Sequence, residues 1–158
     1  MDVEPSYTLA GWREWVSLPG LGVDWVKAKL DTGARTSAIH AFDIDEEPLP
    51  DGSPGVHFFV HPWQDSDDDA AEAHLPLLDI REVRSSSGHA EDRFVVPMEV
   101  TLMGRTVTAE MTLSRRDEMG FRMLVGREAL RQGYVVDPGE SYLGGKPPVA
   151  MRRRNRGR

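Results

Sequence analysis

"VKAKLDTGARTSAIHA", residues 26–41, is the stretch on which the fold turns. Val26, Ala28 and Leu30 alternate with Lys27 and Lys29, the period-two pattern of a half-buried β-strand. That strand delivers Asp31 into a turn where Gly33 is permitted backbone angles closed to other residues. Taken alone, Asp-Thr-Gly is a triplet that chance supplies easily, and a strand followed by a turn accounts for it. Its meaning depends on the rest of the chain.

Outward from this segment, short β-type runs dominate. "REWVSLP" (13–19) and "DWVKAKL" (24–30) flank a Gly-Leu-Gly turn and read as a hairpin. "VHFFVH" (56–61) and "PLLDIREVR" (76–84) are further strands, and the acidic stretch 64–74 between them reads as a solvated loop. "RFVVPMEVTL" (93–102) and "RTVTAEMTL" (105–113) form a second hairpin, with Pro97 placed at an edge or a bulge. "REALRQG" (127–133) is the one helical segment, two turns long and capped by Gly133. "YVVDP" (134–138) returns to strand. The aromatic residues Trp12, Trp15, Trp25, Phe58 and Phe59 read as core. The expected class is mainly β, a closed barrel with one short helix near the C-terminus.

Bulk properties narrow the function. A chain of 158 residues is one domain's worth. The expected division is an N-terminal extension (1–10), one domain (11–145) and a basic, disordered tail (146–158). No apolar run approaches the ~20 residues that span a bilayer, and "MDVEPSYTLAGW" lacks the basic start and apolar stretch of a secretory signal. Without cysteine there is no disulfide, thiolate nucleophile or thiolate metal site. The cytoplasm is the expected location. A net charge of −7 argues against nucleic acid as the partner. The basic residues are nearly all arginine, which grips carboxylates bidentately where lysine offers a point charge.

A second motif gives the triplet weight. "FRMLVGREAL" (121–130) is an apolar strand, a glycine and a short helix. The pair Asp31-Thr32-Gly33-Ala34 and Leu124-Val125-Gly126-Arg127, in this order and at this separation, resembles the retroviral-type aspartic proteases. The fuller stretches "KAKLDTGARTSAIHA" and "RRDEMGFRMLVGREAL" resemble a bacterial family still more closely, over roughly residues 10–143. Its members carry the label ATP-dependent zinc protease, and some, the RimB-like glutamate peptidases, accompany the ligase that adds glutamates to a ribosomal protein. The resemblance implies a retropepsin-like (acid-protease-like) barrel and an aspartic peptidase that removes glutamate tails. The zinc and ATP of the label find no pattern here, neither a phosphate loop nor His-Glu-x-x-His. His57 and His61, four apart on a strand, lie ~13 Å from one another, too far to share a zinc. No metal or cofactor is expected.

Hydrolysis by aspartate needs two carboxyl groups sharing a proton, because two like charges ~3 Å apart do not both ionise. This chain holds one Asp-Thr-Gly, so a two-fold homodimer is expected to bring Asp31 against its own copy. The resemblance then gives Asp31, Thr32 and Gly33 the catalytic positions, with the Thr32 hydroxyl bonding across the dimer axis and Gly33 letting the backbones approach. Ala34 leaves room for substrate. Many retroviral proteases carry an acidic residue next, where this chain has Arg35, and that reversal points to an anionic substrate. Arg81, Arg84 and Arg93 surround "SSSGHAED" (85–92), a turn placed as a flap. Ala34, Arg35, Arg84, Arg93 and Gly126 are the expected substrate-binding residues, Arg127 is expected in a structural ion pair, and the expected partner is an acidic peptide or glutamylated protein. The rivals are a dimeric module that binds acidic segments without cleaving them, and a zinc metallopeptidase.

Overall fold

The computed structural model describes residues 6–63, 66–84, 88–114 and 120–154. Among the described residues ten strands run in chain order: β1 Thr8–Leu18, β2 Val23–Leu30, β3 Ser37–Glu46, β4 Gly55–Val60, β5 Ala71–Pro76, β6 Asp79–Arg84, β7 Ala90–Leu102, β8 Arg105–Ser114, β9 Met123–Val125 and β10 Tyr134–Ser141. Helix α1 is Arg127–Leu130 and α2 is Val149–Arg154. No helix among the described residues is long and apolar enough to cross a membrane.

The protein is mainly β, as its alternating patterns require. In β2 the period-two reading holds, with Val26, Ala28 and Leu30 buried and the lysines between them half-buried. The β1–β2 hairpin turns through a 3₁₀ turn at Pro19–Leu21 and a left-handed Gly22. The β7–β8 hairpin turns on Met103 and Gly104, both at positive φ, the geometry that suits a two-residue hairpin loop. Pro97 pairs with Glu110 of β8, while the pairing of β7 with β6 ends at Val95. At Pro97, therefore, β7 has no β6 neighbour to receive the missing N–H.

The strands are ordered β10-β1-β2-β9-β3-β8-β7-β6, with β4 and β5 added from β3. One bridge, Ser17 to Thr101, joins β1 back to β7. The expected closed barrel is thus a six-strand ring whose last junction is a single pair, rather than a fully hydrogen-bonded barrel. One hydrophobic core cluster includes Leu18, Met98, Met111 and Met123 from the ring strands and Phe58 from β4, all at 2% exposure or less. Each such side chain stabilises the fold by about 1.5–3 kcal/mol through burial. Of the aromatic residues expected inside, Trp15 and Phe58 are buried, while Trp12, Trp25 and Phe59 are half-buried.

Several segments differ from expectation, and helix α1, expected as two turns capped by Gly133, spans only Arg127–Leu130 with Arg131 at its C-cap. Residues 71–74, read as the end of the 64–74 loop, belong to β5, which pairs with β4 from Val60–Ala71 to Gly55–Pro76. Residues 37–46, not read as an element, form β3 and pair with β4, β8 and β9. The segment expected as a disordered tail contains α2 over Val149–Arg154. For β3 and β5 strand pairing outweighs weak local propensity, whereas the Ala, Met and Arg of α2 favour a helix by themselves.

Candidate active site

Topology brings the two motifs together. Strand β9 lies between β2 and β3, parallel to the first and antiparallel to the second. The loop 31–36 that joins β2 to β3 must therefore arch over the end of β9, where Gly126 leads into α1. The chain crosses so closely that a side chain on Gly126 has nowhere to go. An ideal Cβ there would lie 2.3 Å from the Thr36 carbonyl oxygen. Only glycine fits this crossing.

Main-chain bonds fasten the crossing. Asp31 N–H donates to the Val125 carbonyl (2.9 Å), Arg127 N–H to Ala34 (2.7 Å) and Glu128 N–H to Arg35 (3.0 Å). The buried Ser37 hydroxyl accepts from Gly126 N–H at 3.0 Å. Behind these bonds, α1 is anchored by buried Ala129 and Leu130. The half-buried Asp31 carboxyl is oriented locally, its Oδ1 accepting from Gly33 N–H at 2.9 Å. Thr32 and Gly33 are exposed and Ala34 is half-buried. A carboxyl held by a rigid loop at an exposed surface is placed to act on a proton, given a partner of matched pKa.

The remaining expected residues distribute as follows. Arg35 is 77% exposed, and its Nε bonds Glu128 Oε1 at 3.1 Å. Gly126 is buried beneath Thr36. Arg127 Nη1 donates to the Thr32 carbonyl at 3.5 Å, so it supports the 31–36 loop through main chain where an ion pair was expected. Arg93 is half-buried on β7, its backbone opposite Arg81 of β6. Arg81 is a structural link, bonding Asp79 (3.0 Å) and Glu110 (3.1 Å). Arg84 ends β6 opposite Ala90, and its side chain lies outside those described. The β6–β7 hairpin exists, while residues 85–87 of its turn lie outside the described residues, as do Arg115 and Arg116.

Sequence reading missed Ser37 and Glu128. The signal for Ser37 was its place at the head of a strand whose alternate residues, Ile39 and Ala41, are apolar. For Glu128 it was a carboxylate in the first turn of the helix that follows Gly126.

Four of the five histidines fall into two groups. His57 bonds Glu72 at 2.6 Å and lies edge-on to His74, whereas His61 stacks on Phe42 and His40. Burial pushes His61 below its ordinary pKa, with nearby Arg122 adding to the fall and Asp67 opposing it. Among the described residues no group of three or more His, Asp or Glu side chains is placed to hold a metal ion.

The model of the RimB-like family, described as retropepsin-like aspartic endopeptidase RimB, matches residues 9–147. The chain belongs to this family. Family membership accounts for the two motifs and for the mainly-β, retropepsin-like fold. A probable alpha-L-glutamate ligase of Shewanella pealeana is 42% identical over 139 residues, which are 87% of this chain and 30% of that protein. One from Desulfotalea psychrophila is 42% identical over 138 residues, again 87% and 30%. The chain thus spans under a third of the length of these relatives. Among solved structures, a Legionella pneumophila protein of unknown function matches with a TM-score of 0.71 at 24% identity, covering 88% of this chain and 99% of its own. The EIAV protease complexed with the inhibitor HBY-793 aligns with a TM-score of 0.41 at 14% identity, over 86% of this chain and 90% of its own.

Proposed function

We propose that this family member is an aspartic peptidase that hydrolyses glutamate-rich peptide, with Asp31 from two copies of the chain forming the catalytic pair. The observation that carries the reading is the Asp31 carboxyl itself. It stands half-exposed on a loop clamped by the second motif, with one oxygen oriented by Gly33 N–H. In the paired site one carboxylate takes a proton from water, and the water oxygen bonds to the peptide carbonyl carbon. The other carboxyl gives its proton to the carbonyl oxygen. When the tetrahedral intermediate collapses, the C–N bond breaks, the amine leaves with a proton, and the dyad regains its single shared proton.

The substrate class rests on Arg35, a largely exposed guanidinium four residues after Asp31, and on the relatives' name. A segment like this one forms part of chains named probable alpha-L-glutamate ligase, and a hydrolase for the bond a ligase makes is a coherent companion. The exposure of Arg35 equally favours a module that binds acidic tails without cleaving them.

One experiment separates the two readings. Oligoglutamate is incubated with the protein, with its Asp31→Asn variant and with chelator present, and products are read by mass spectrometry. Shortening by the parent, none by the variant and no effect of chelator is the expected result. Binding without shortening would establish the module, and loss of activity on chelation, restored by zinc, would establish a metallopeptidase.

A further inference from the structure

Arg35 already has a carboxylate. We propose that Glu128 is a built-in stand-in for the substrate's side chain, occupying Arg35 until a glutamate of the substrate displaces it. This rests on the reading of Arg35 as a substrate contact, and it adds a specificity device to that site.

Three features fit exchange better than a structural lock. First, the contact is a single one, Arg35 Nε to Glu128 Oε1 at 3.1 Å, on a guanidinium 77% exposed. A guanidinium offers a five-donor fork that a carboxylate can grip through two parallel bonds. Second, the loop does not depend on the pair. The Arg127-to-Ala34 and Glu128-to-Arg35 main-chain bonds hold loop and helix together, with Gly126 bonded to Ser37 beneath them. Third, a displaced Glu128 has somewhere to go. It borders an open cavity of about 350 Å³ that is also lined by Thr108, Glu110, Arg131 and Gln132. There the carboxylate can remain hydrated beside another guanidinium.

The consequence is selection by replacement. A peptide with carboxylate side chains exchanges one Arg35–carboxylate contact for another, while a neutral peptide leaves the Arg35–Glu128 pair undisturbed. The site thereby weakens its grip on every acidic ligand by the worth of the internal pair.

The test measures binding, so that it does not depend on hydrolysis. Fluorescently labelled oligoglutamate and oligoglutamine are titrated into Asp31→Asn protein that carries Glu128→Gln, Arg35→Ala, both, or neither. Glu140→Gln, which removes the same charge from an exposed position on β10, is the control. Melting temperatures are recorded for all. Glu128→Gln should tighten oligoglutamate binding about two- to fivefold, the range an exposed ion pair commands. Oligoglutamine should not respond, and Glu140→Gln should have a smaller effect. Arg35→Ala should weaken oligoglutamate binding and abolish the gain from Glu128→Gln. An unchanged or weaker affinity in Glu128→Gln, a gain that survives in the double variant, or no oligoglutamate binding by any folded variant overturns the proposal. The peptidase reading fails separately, if parent protein binds oligoglutamate in this pattern and hydrolyses nothing.

Discussion

At the scale of single residues, two carboxylates show how environment assigns opposite roles. Asp31 is half-exposed and presented to solvent. Glu14 on β1 is fully buried, yet its oxygens accept from the N–H groups of Gly11 (2.7 Å), Leu143 (2.9 Å) and Gly144 (3.0 Å). A buried charge is costly unless so compensated. Glu14 thereby ties the irregular pairing of β1 near Gly11 to the segment after β10. Glu14→Ala leaves three donors unmet and should cost about 3 kcal/mol, a fall in melting temperature of about 6–12 °C for a chain of this size. Calorimetry decides, and a change under 2 °C would show that water replaces the carboxylate. The sequence carried the clue, since Glu14 shares the alternating face of buried Val16 and Leu18.

At the scale of elements, the central device is the loop 31–36 crossing over Gly126. Gly126→Ala should force the loop away from Thr36, because its Cβ would lie 2.3 Å from that carbonyl oxygen. The expected cost is about 3 kcal/mol, with loss of hydrolysis greater than the loss of folded protein explains. Circular dichroism and turnover on one preparation test this, and a wild-type melting temperature would refute the crossing. Both motifs were legible because each sits on a strand with a clear apolar pattern. Their juxtaposition was not, since β9 (Met123–Val125) is three residues long and pairs with β2 and β3, far from it in sequence. Strand β3 was hidden for a different reason. Asp43 adopts φ +50° and the β3–β4 register shifts between Phe42 and Asp45, so the apolar alternation breaks at the acidic run. Strand β5, Ala-Glu-Ala-His-Leu-Pro, has little intrinsic strand preference and is held by β4. The same region has a pH signature. His61 is pushed below its ordinary pKa by burial, with Arg122, Asp67, His40 and Phe42 around it. The unfolded chain then binds the proton more readily than the folded one, so stability is full above about pH 6.5 and falls as pH drops through the lowered value. On acidification across pH 5–8 the melting temperature of the protein should fall relative to that of His61→Phe, and parallel profiles would exclude His61 as the source.

At the scale of the whole molecule, the arrangement supplies one Asp-Thr-Gly loop to a chemistry that needs two carboxyls. The loop clamp is complete among the described residues, while the dyad proposed above takes its second carboxyl from another copy. In the proposed reading a symmetric pair of chains would complete it, because an isologous contact sets each residue on the axis against its own copy. This has a consequence that no single-chain site shares. If parent protein is mixed with Asp31→Asn protein and the subunits exchange, every mixed dimer holds one carboxyl and one amide. With parent fraction f, the active pairs number f² of all pairs, so activity per parent chain falls in proportion to f. A tenfold excess of variant should leave about one tenth of the specific activity, an effect of mass action alone. Dilution should lower specific activity as well, with a midpoint at the dimer dissociation constant. Variant protein unable to pair, prepared by unfolding, is not needed as a control, since wild-type behaviour at equal total concentration sets the reference. Specific activity that ignores both the added variant and dilution, in samples shown by native mass spectrometry to exchange subunits, would place the second carboxyl within the chain and remove the dimer from the mechanism.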